Sequence, residues 1–333
     1  MEERDRFISS TKNMSDVEVE NKLRPMSFDE YVGQEKIKSN LKVFISAAKK
    51  RKEALDHVLL YGPPGLGKTS LANIISNEMG ARLITISGPA IEKIGDVAAI
   101  LSSLKPGDVL FIDEIHRLPR FIEETLYSAM EDFKFMVVLN RESGGKTITI
   151  DLPPFTLVGA TTRVGEISAP LRARFGITEK LDYYSLEDLT NIVIRTGRVL
   201  NTTIDQDAAM EIAKRSRGTP RIANRLFKRV RDFANFKKED HIVLKDAKEA
   251  LLALGVDEIG LDEIDVKYLT ALIKRFNGGP VGIETLANTI GEESTNLEDL
   301  CEPYLIQIEF IDRTPKGRVA RKKAYRHLKI AQR

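Results

Sequence analysis

The chain has 333 residues but only one cysteine, four histidines and no tryptophan. A lone thiol, Cys301, excludes an internal disulfide and fits a reducing compartment. With no histidine cluster beside it, a zinc site has no ligand set, and the residue reads as a small apolar packing element. No stretch approaches the roughly 18 consecutive apolar residues needed to cross a bilayer, which excludes a helical membrane span. The opening "MEERDRFISSTKNMSDVEVENK" lacks the apolar run of a signal peptide. Its polar, mostly acidic composition predicts a mobile arm over residues 1–20. Internal repeats and low-complexity tracts are also missing.

Excess charge of one sign is missing too. Fifty-one Lys and Arg against 49 Asp and Glu leave a formal net charge of +2. The balance is not even along the chain. From Arg313 to the end there are nine Lys or Arg and no acid. Such a cluster repels itself unless it is solvated or meets an anion.

The length allows two or three domains. After "LRPMSFDEYVGQEKIKSNLKVFISAAKK", with a helical pattern through Ile37, Leu41, Phe44 and Ile45, comes "HVLLYGPPGLGKTSLANIISNEM": a short apolar strand, a Gly/Pro turn and a helix. "RLITIS", "DVLFID" and "FTLVGATT" are three further buried-strand candidates, and a helical segment around Asp96–Leu104 separates the first two. Strands alternating with helices predict an α/β domain with a parallel sheet covered on both faces. Residues 185–254 show helical runs and no convincing strand, and an acidic stretch, "GVDEIGLDEID", leads into a third unit. The expected divisions are an arm over 1–20, a large α/β domain over 21–184, a small helical domain over 185–255 and a C-terminal unit over 256–333.

Gly62-Pro63-Pro64-Gly65-Leu66-Gly67-Lys68-Thr69 fits the phosphate-binding pattern G-x-x-x-x-G-K-[ST], with a strand before it and a helix after it. Glycines let backbone N–H groups turn inward around phosphate oxygens, helped by the positive end of the following helix. Gly65, Gly67, Lys68, Thr69 and Ser70 are therefore the expected ATP-holding residues. Lys68 reaches the β- and γ-phosphates, and the Thr69 hydroxyl ligates Mg2+. "VLFIDEIH" is an apolar strand ending in two carboxylates. Asp113 is placed to hold hydrated Mg2+, and Glu114 is the candidate base that polarises the attacking water. His116 reads as a hydrogen-bonding support. Groups sensing the γ-phosphate are offered by Thr161 and Thr162, by Arg172 and Arg174, and by Arg217 and Arg221. Spacing alone leaves open which arginine acts in its own subunit and which in a neighbour.

"LRP", "YVGQ", "DHVLLYGPPGLGKT", "SGPAIEK", "GDVLFIDEIHRL", "DLPPFTLVGATTR", "PLRARFGI", "RGTPRIANRL", "GGPVGIETLA", "EPYLIQ" and "RTPKGRVA" together resemble the RuvB family, bacterial Holliday-junction branch-migration motors within the AAA+ ATPases. The resemblance runs over about residues 21–330. It implies a P-loop AAA+ ATPase domain, a small helical lid and a C-terminal winged helix. It implies a homohexamer that hydrolyses ATP with Mg2+ and pumps duplex DNA during recombination and repair. It also implies RuvA, RuvC and Holliday-junction DNA as partners, and a bacterial cytoplasmic location. Residue by residue, it places Leu23, Arg24 and Tyr184 near the adenine and Glu131, Asp132 and Phe133 at the nucleotide's border. Thr162 is then the γ-phosphate sensor, Arg221 the lid sensor and Arg174 the finger that completes a neighbouring subunit's site.

In "FKFMVVLNRESGGKTITIDL" two strands flank a polar turn from Asn140 to Gly145. In the family this hairpin docks on RuvA, which makes Val137, Val138, Leu139 and Ile148 the contact candidates, with packing inside the ATPase domain as the alternative. Near the C-terminus, "IDVKYLTALIKRF" places Ile264, Tyr268, Leu269, Leu272, Ile273 and Phe276 on one helical face. Two more helical runs follow, and then "IEFIDR" and "RVAR" joined by "TPKG". Pro315 and Gly317 suit the second and fourth positions of a tight turn. Three helices and a basic hairpin make a winged helix, with Arg313 and Arg318 expected on duplex phosphates. Ser294 stands where the family often has arginine, so Arg321, Lys322 and Lys323 are expected to compensate.

Other readings compete. A superfamily-2 helicase needs a second strand-rich RecA-like domain, which residues 185–333 do not supply. A clamp-loader subunit would not be expected to end in a basic winged helix. An ATP-gated DNA-binding scaffold, with hydrolysis only a timer, stays open on sequence alone, and Glu114 argues for turnover because a pure binding module needs no water-polarising acid.

Overall fold

A computed structural model describes residues 22–139 and 146–331, with the side chains of 137–139 and 146–148 outside the description. The chain forms two compact units, Arg24–Tyr184 and a second one built mainly from Ser185 onward, which also takes in Leu23. The expected arm over residues 1–20 lies outside the described residues.

In the first unit the strands are β1 (Val58–Tyr61), β2 (Leu83–Ser87), β3 (Val109–Asp113), β4 (Lys134–Leu139), β5 (Lys146–Asp151), β6 (Thr156–Thr161) and β7 (Ile177–Lys180). Five of them make one parallel sheet in the order β2-β3-β6-β1-β7. The central strands β1, β3 and β6 are apolar and buried almost throughout, as strands covered on both faces must be. β2 departs from its buried expectation because it is an edge strand, with partly exposed residues along its length. The fifth strand, β7, has no counterpart among the sequence expectations. Its sequence "ITEK" buries only Ile177, and a four-residue polar edge strand carries no hydrophobic run to read.

The register explains how distant motifs meet. Tyr61 lies beside Thr161, Ile112 beside Gly159, and Ser87 beside Asp113. The P-loop leaves the end of β1, the acid pair leaves β3 and the threonine pair leaves β6. All three sit at the carboxyl edge of a parallel sheet, where open α/β folds bind ligands. Below the loops, Leu110, Ile112, Ile115, Leu126, Phe155 and Leu157 fill one side of the sheet. The helix Glu35–Arg51 buries Ile37, Leu41 and Ile45, but Phe44, expected on the same stripe, is 39% exposed. β4 and β5 pair antiparallel with Val137 opposite Ile148. The turn expected at Asn140–Gly145 lies outside the described residues.

The second unit begins with four helices: Leu186–Val199, Gln206–Lys214, Pro220–Phe236 and Leu244–Ala253. A two-residue parallel pair, Thr203–Ile204 with His241–Ile242, joins the loops between them. Strands this short carry no periodicity, so the segment reads as wholly helical in sequence. Next come helix Glu263–Lys274, helix Ile283–Ile290, a helical stretch from Ser294 to Gln307, and the hairpin Ile311–Thr314/Gly317–Ala320. Leu269, Leu272 and Ile273 are buried in its core, each stabilising the fold by about 1.5–3 kcal/mol relative to exposure. The "TPKG" turn sits where expected. Gly317 is needed there: its φ is +128°, and a Cβ would lie 2.5 Å from the Val281 carbonyl oxygen. Val281 pairs with Arg318 in a single antiparallel bridge beside this two-stranded hairpin.

The helical part and the winged part of this unit are tied together by Arg217, which is 3% exposed. It pairs with the buried carboxylate of Asp265, donates through Nε to the Gly260 carbonyl at 2.7 Å, and sits over the Tyr304 ring. Asp262 lies 3.6 Å away. Arg217, offered from sequence as a γ-phosphate group, is thus committed to an internal ion pair.

Candidate functional site

The P-loop turns on three glycines with positive φ: Gly62, Gly65 and Gly67. Two of them also face close neighbours. A Cβ on Gly62 would meet the Leu181 carbonyl oxygen at 2.5 Å, and one on Gly67 would meet the Tyr31 hydroxyl at 2.8 Å. The helix Lys68–Met79 starts at Gly67 with no side-chain cap and no acid in its first turn. Its first N–H groups and its dipole therefore favour an anion. Thr69 and Ser70 lie in that turn, half-buried. Lys68 is buried, and its ammonium donates to the carbonyls of Gly62 at 2.8 Å and Pro63 at 2.9 Å, spanning the loop it would fill. These residues fit a triphosphate.

Tyr184 is buried against this loop. Its hydroxyl donates to Tyr31 Oη at 2.9 Å, which in turn donates to the Leu66 carbonyl at 3.3 Å. Burial, reinforced by Tyr184, pushes the Tyr31 phenol well above its usual pKa, so the bridge stays protonated. Sequence reasoning missed Tyr31 as a site residue; the only sign of it there is its place in "YVGQ".

At the tip of β3, the Glu114 N–H donates to Asp113 Oδ1 at 3.1 Å. Glu114 adopts φ +50°, a left-handed conformation uncommon for a residue with a side chain, and this turns its carboxylate away from the strand direction. The Thr162 hydroxyl donates to Glu114 Oε2 at 3.1 Å. His116 Nδ1 lies 3.2 Å from the same oxygen and 3.0 Å from Thr161 Oγ1. Burial lowers the His116 pKa, partly offset by Glu114 and Glu166, so the imidazole is neutral at pH 7. In its Nδ1–H tautomer the ring donates to Thr161 Oγ1 and lies beside Glu114 Oε2. The two threonines thereby take separate tasks. Thr161 is wholly buried and also accepts the Arg163 N–H at 2.9 Å, whereas Thr162 touches the acid. Gly88 was another omission: a Cβ there would lie 2.5 Å from the Glu114 carbonyl oxygen, so the "SGP" turn must be glycine for β2 to approach the site.

Arg174 lies on the same unit and is held within it. Its guanidinium is 4.5 Å from the Tyr127 ring centroid, Nη2 is 2.9 Å from Glu131 Oε2, and Nη1 donates to the Pro170 carbonyl at 2.8 Å. Glu131 and Asp132 are exposed at the end of helix Arg120–Glu131. Phe133, at φ +51°, packs edge-on against Phe155. Arg172 is exposed. Arg24 is half-buried in the first unit, while Leu23 is buried in the second, where its carbonyl accepts from Arg195 Nη1 at 2.8 Å. Arg221 opens helix Pro220–Phe236 and is also part of the second unit.

Arg313 and Arg318 face each other across the wing hairpin. Both reach one wholly buried carboxylate, Glu302, through Nε at 2.5 Å and 2.9 Å respectively. Other cations of the basic run are also matched: Arg321 pairs with Asp312 and Lys323 with Glu309. Lys316, at the turn, and Lys322 are exposed. The expected RuvA contacts Val137, Val138, Leu139 and Ile148 have side chains outside the described residues. No helix among the described residues is long and apolar enough to cross a membrane.

Three successive domain families match the sequence: the P-loop domain of the Holliday junction DNA helicase RuvB over residues 23–181, the RuvB AAA lid domain over 184–257, and the RuvB C-terminal winged helix domain over 258–329. The structure is similar to that of the Thermotoga maritima RuvB Holliday junction branch migration motor. That likeness has 51% identity and a TM-score of 0.85, covering 93% of this chain and 99% of that one. A point mutant of the Thermotoga protein gives 50% identity and a TM-score of 0.84 over the same shares.

Proposed function

The chain belongs to the RuvB family of Holliday junction branch-migration motors, with the P-loop AAA+ fold, lid and winged helix of that family, and on that premise we propose that it is an ATP-hydrolysing DNA translocase. The observation that carries this reading is the contact of Glu114 with Thr162 and His116 at the sheet edge, next to a formed P-loop. A carboxylate held by the Thr162 hydroxyl, beside His116 and on a left-handed backbone, is arranged to orient water, which a nucleotide-gated scaffold does not require.

Magnesium-bound ATP supplies the electrophilic γ-phosphoryl group. Around it the N–H groups of Gly65 and Gly67 bind phosphate oxygens, and Lys68 exchanges its two carbonyl partners for them. Thr69 and Asp113 would hold the metal. Glu114 polarises the attacking water while Thr162 keeps its carboxylate in place. Arg174 of a neighbouring copy neutralises charge developing on the leaving group, which makes a ring the active unit. In this reading Leu23, Arg24, Glu131, Asp132, Phe133 and Tyr184 border the nucleotide, and Arg221 acts as lid sensor.

The family likeness supports a homohexamer acting with RuvA and RuvC on Holliday junctions in recombination and repair, in a bacterial cytoplasm. The hairpin β4–β5 is the RuvA-docking element. The second unit is no second RecA-like domain. Its strands among the described residues are the Thr203/His241 pair and the wing with its Val281 bridge, too few for a superfamily-2 helicase.

The test is steady-state ATP hydrolysis with and without duplex DNA, alongside equilibrium ATP binding. Glu114→Gln should bind ATP as tightly as the wild type and lose DNA-stimulated turnover. Unchanged turnover in that variant would refute the assignment.

A further inference from the structure

Glu302 is 0% exposed and carries a carboxylate in the core of the winged helix. Burying such a charge costs several kcal/mol unless donors surround it. Its Oε1 accepts from Tyr268 Oη at 2.8 Å and Arg318 Nε at 2.9 Å, and its Oε2 accepts from Arg313 Nε at 2.5 Å. Arg318 Nη2 adds contacts to Glu302 Oε2 at 3.4 Å and to Glu298 Oε1 at 2.5 Å. Arg313 Nη2 donates to the Glu298 carbonyl at 3.2 Å. The helical turn that supplies Glu298, Leu297–Cys301, is a π-helix running directly into Glu302, a distortion often found at functional sites.

Two arginines and two glutamates cancel in charge, which is a poor arrangement if the wing were only a cloud of cations. The two acids differ, however. Glu298 is partly exposed, and a phosphate can replace it at Arg318. Glu302 is sealed behind the hairpin, and no phosphate can reach it. The outer edge of Arg313, whose side chain is 45% exposed, faces away from this anchor.

We propose that Glu302 is a positioning residue for DNA binding: it clamps the inner edges of Arg313 and Arg318 so that their remaining N–H groups are preset for successive phosphates of a duplex. Tyr268 fixes the carboxylate in turn, and burial together with Glu302 raises its phenol pKa, so it remains a donor. The inference rests on the reading that the wing contacts DNA.

Charge counting and positioning predict opposite signs for Glu302→Gln. That variant adds one positive charge to the wing, so charge alone predicts tighter duplex binding. Positioning predicts binding weaker by about tenfold, the worth of a charge-assisted hydrogen bond. It also predicts a shallower salt dependence, because fewer phosphates are held.

The experiment is a double-mutant cycle on the full chain with a fluorescent duplex across a salt series, comparing wild type, Arg313→Ala, Glu302→Gln and the double variant. The expected result is that Arg313→Ala costs about tenfold in the wild type and little once Glu302 is gone. Equal costs in both backgrounds, or tighter binding by Glu302→Gln, overturn the inference. No cost of Arg313→Ala in the wild type instead refutes wing–DNA contact itself. If circular dichroism shows that Glu302→Gln is unfolded, Tyr268→Phe replaces it in the same cycle. That variant keeps every charge, and the expected loss has the same sign but is smaller.

Discussion

The Thr162 hydroxyl donates to the Glu114 carboxylate at 3.1 Å, joining the end of β6 to the end of β3. Through this bond, any shift of Thr162 toward a phosphate must also move the acid that orients water. Thr162→Val keeps the volume and removes the donor. It should therefore leave ATP affinity within a few-fold and cut hydrolysis by about 10²-fold, in the range of a misplaced general base. Parallel ATP-binding and turnover assays check this, and unimpaired turnover would contradict it.

Arg174 rests on Tyr127 and Glu131 of its own subunit, not on its own P-loop residues. Arg174→Ala should bind ATP normally and lose about 10³-fold in hydrolysis. Mixing it with Lys68→Ala, which lacks nucleotide binding but keeps its finger, should restore part of the activity by forming mixed interfaces. Failure of every mixing ratio to recover turnover would argue that the finger acts within one chain.

The Arg217–Asp265 pair is buried at both partners. Asp265→Ala leaves the buried guanidinium with only the more distant Asp262, at 3.6 Å, as its counter-charge and should cost about 3 kcal/mol, read as a lower urea midpoint for the second unit. Arg217→Met with Asp265→Leu removes both charges and should cost clearly less than the single change. A double variant worse than the single one would contradict this account of the pair.

Legibility in the sequence depends on what each residue needs locally. Gly62 to Thr69 and Asp113-Glu114 are legible because phosphate and metal chemistry demand those residue types in one short stretch, after a strand that reads as apolar. The strand Ile177–Lys180 is not, since its stability comes from β1 beside it and not from its own composition. Arg217 and Glu302 are hidden for a related reason. Arg217 reads as a phosphate-sensing group and Glu302 as one letter of a family motif until the fold places an opposite charge against each. Tyr31 enters only as part of a family motif, because its bond to Leu66 spans 35 residues. The basic residues from Arg313 onward read as one run, yet the fold divides them between internal ion pairs and exposed cations.

Stability should also depend on pH through His57. Its Nδ1 accepts the Leu157 N–H at 2.8 Å and its Nε2 lies 3.0 Å from the Met130 carbonyl. That arrangement needs a neutral ring, and burial lowers its pKa from the ordinary 6.5. The unfolded chain then binds more protons between the lowered value and 6.5, so stability is present above 6.5 and lost as pH falls through that window. Urea midpoints at about pH 7.5 and 5.5 should fall with acidity, and His57→Gln should flatten the difference. A midpoint that rises as pH falls would contradict the sign.

The most direct test is ATP-driven dissociation of a synthetic four-way junction, with and without RuvA, by the wild type and by Glu114→Gln. The account predicts partner-stimulated junction movement by the wild type, lost in Glu114→Gln while ATP still binds. A wild type that hydrolyses ATP yet never moves the junction would contradict it and leave a nucleotide-gated DNA-binding protein as the better description.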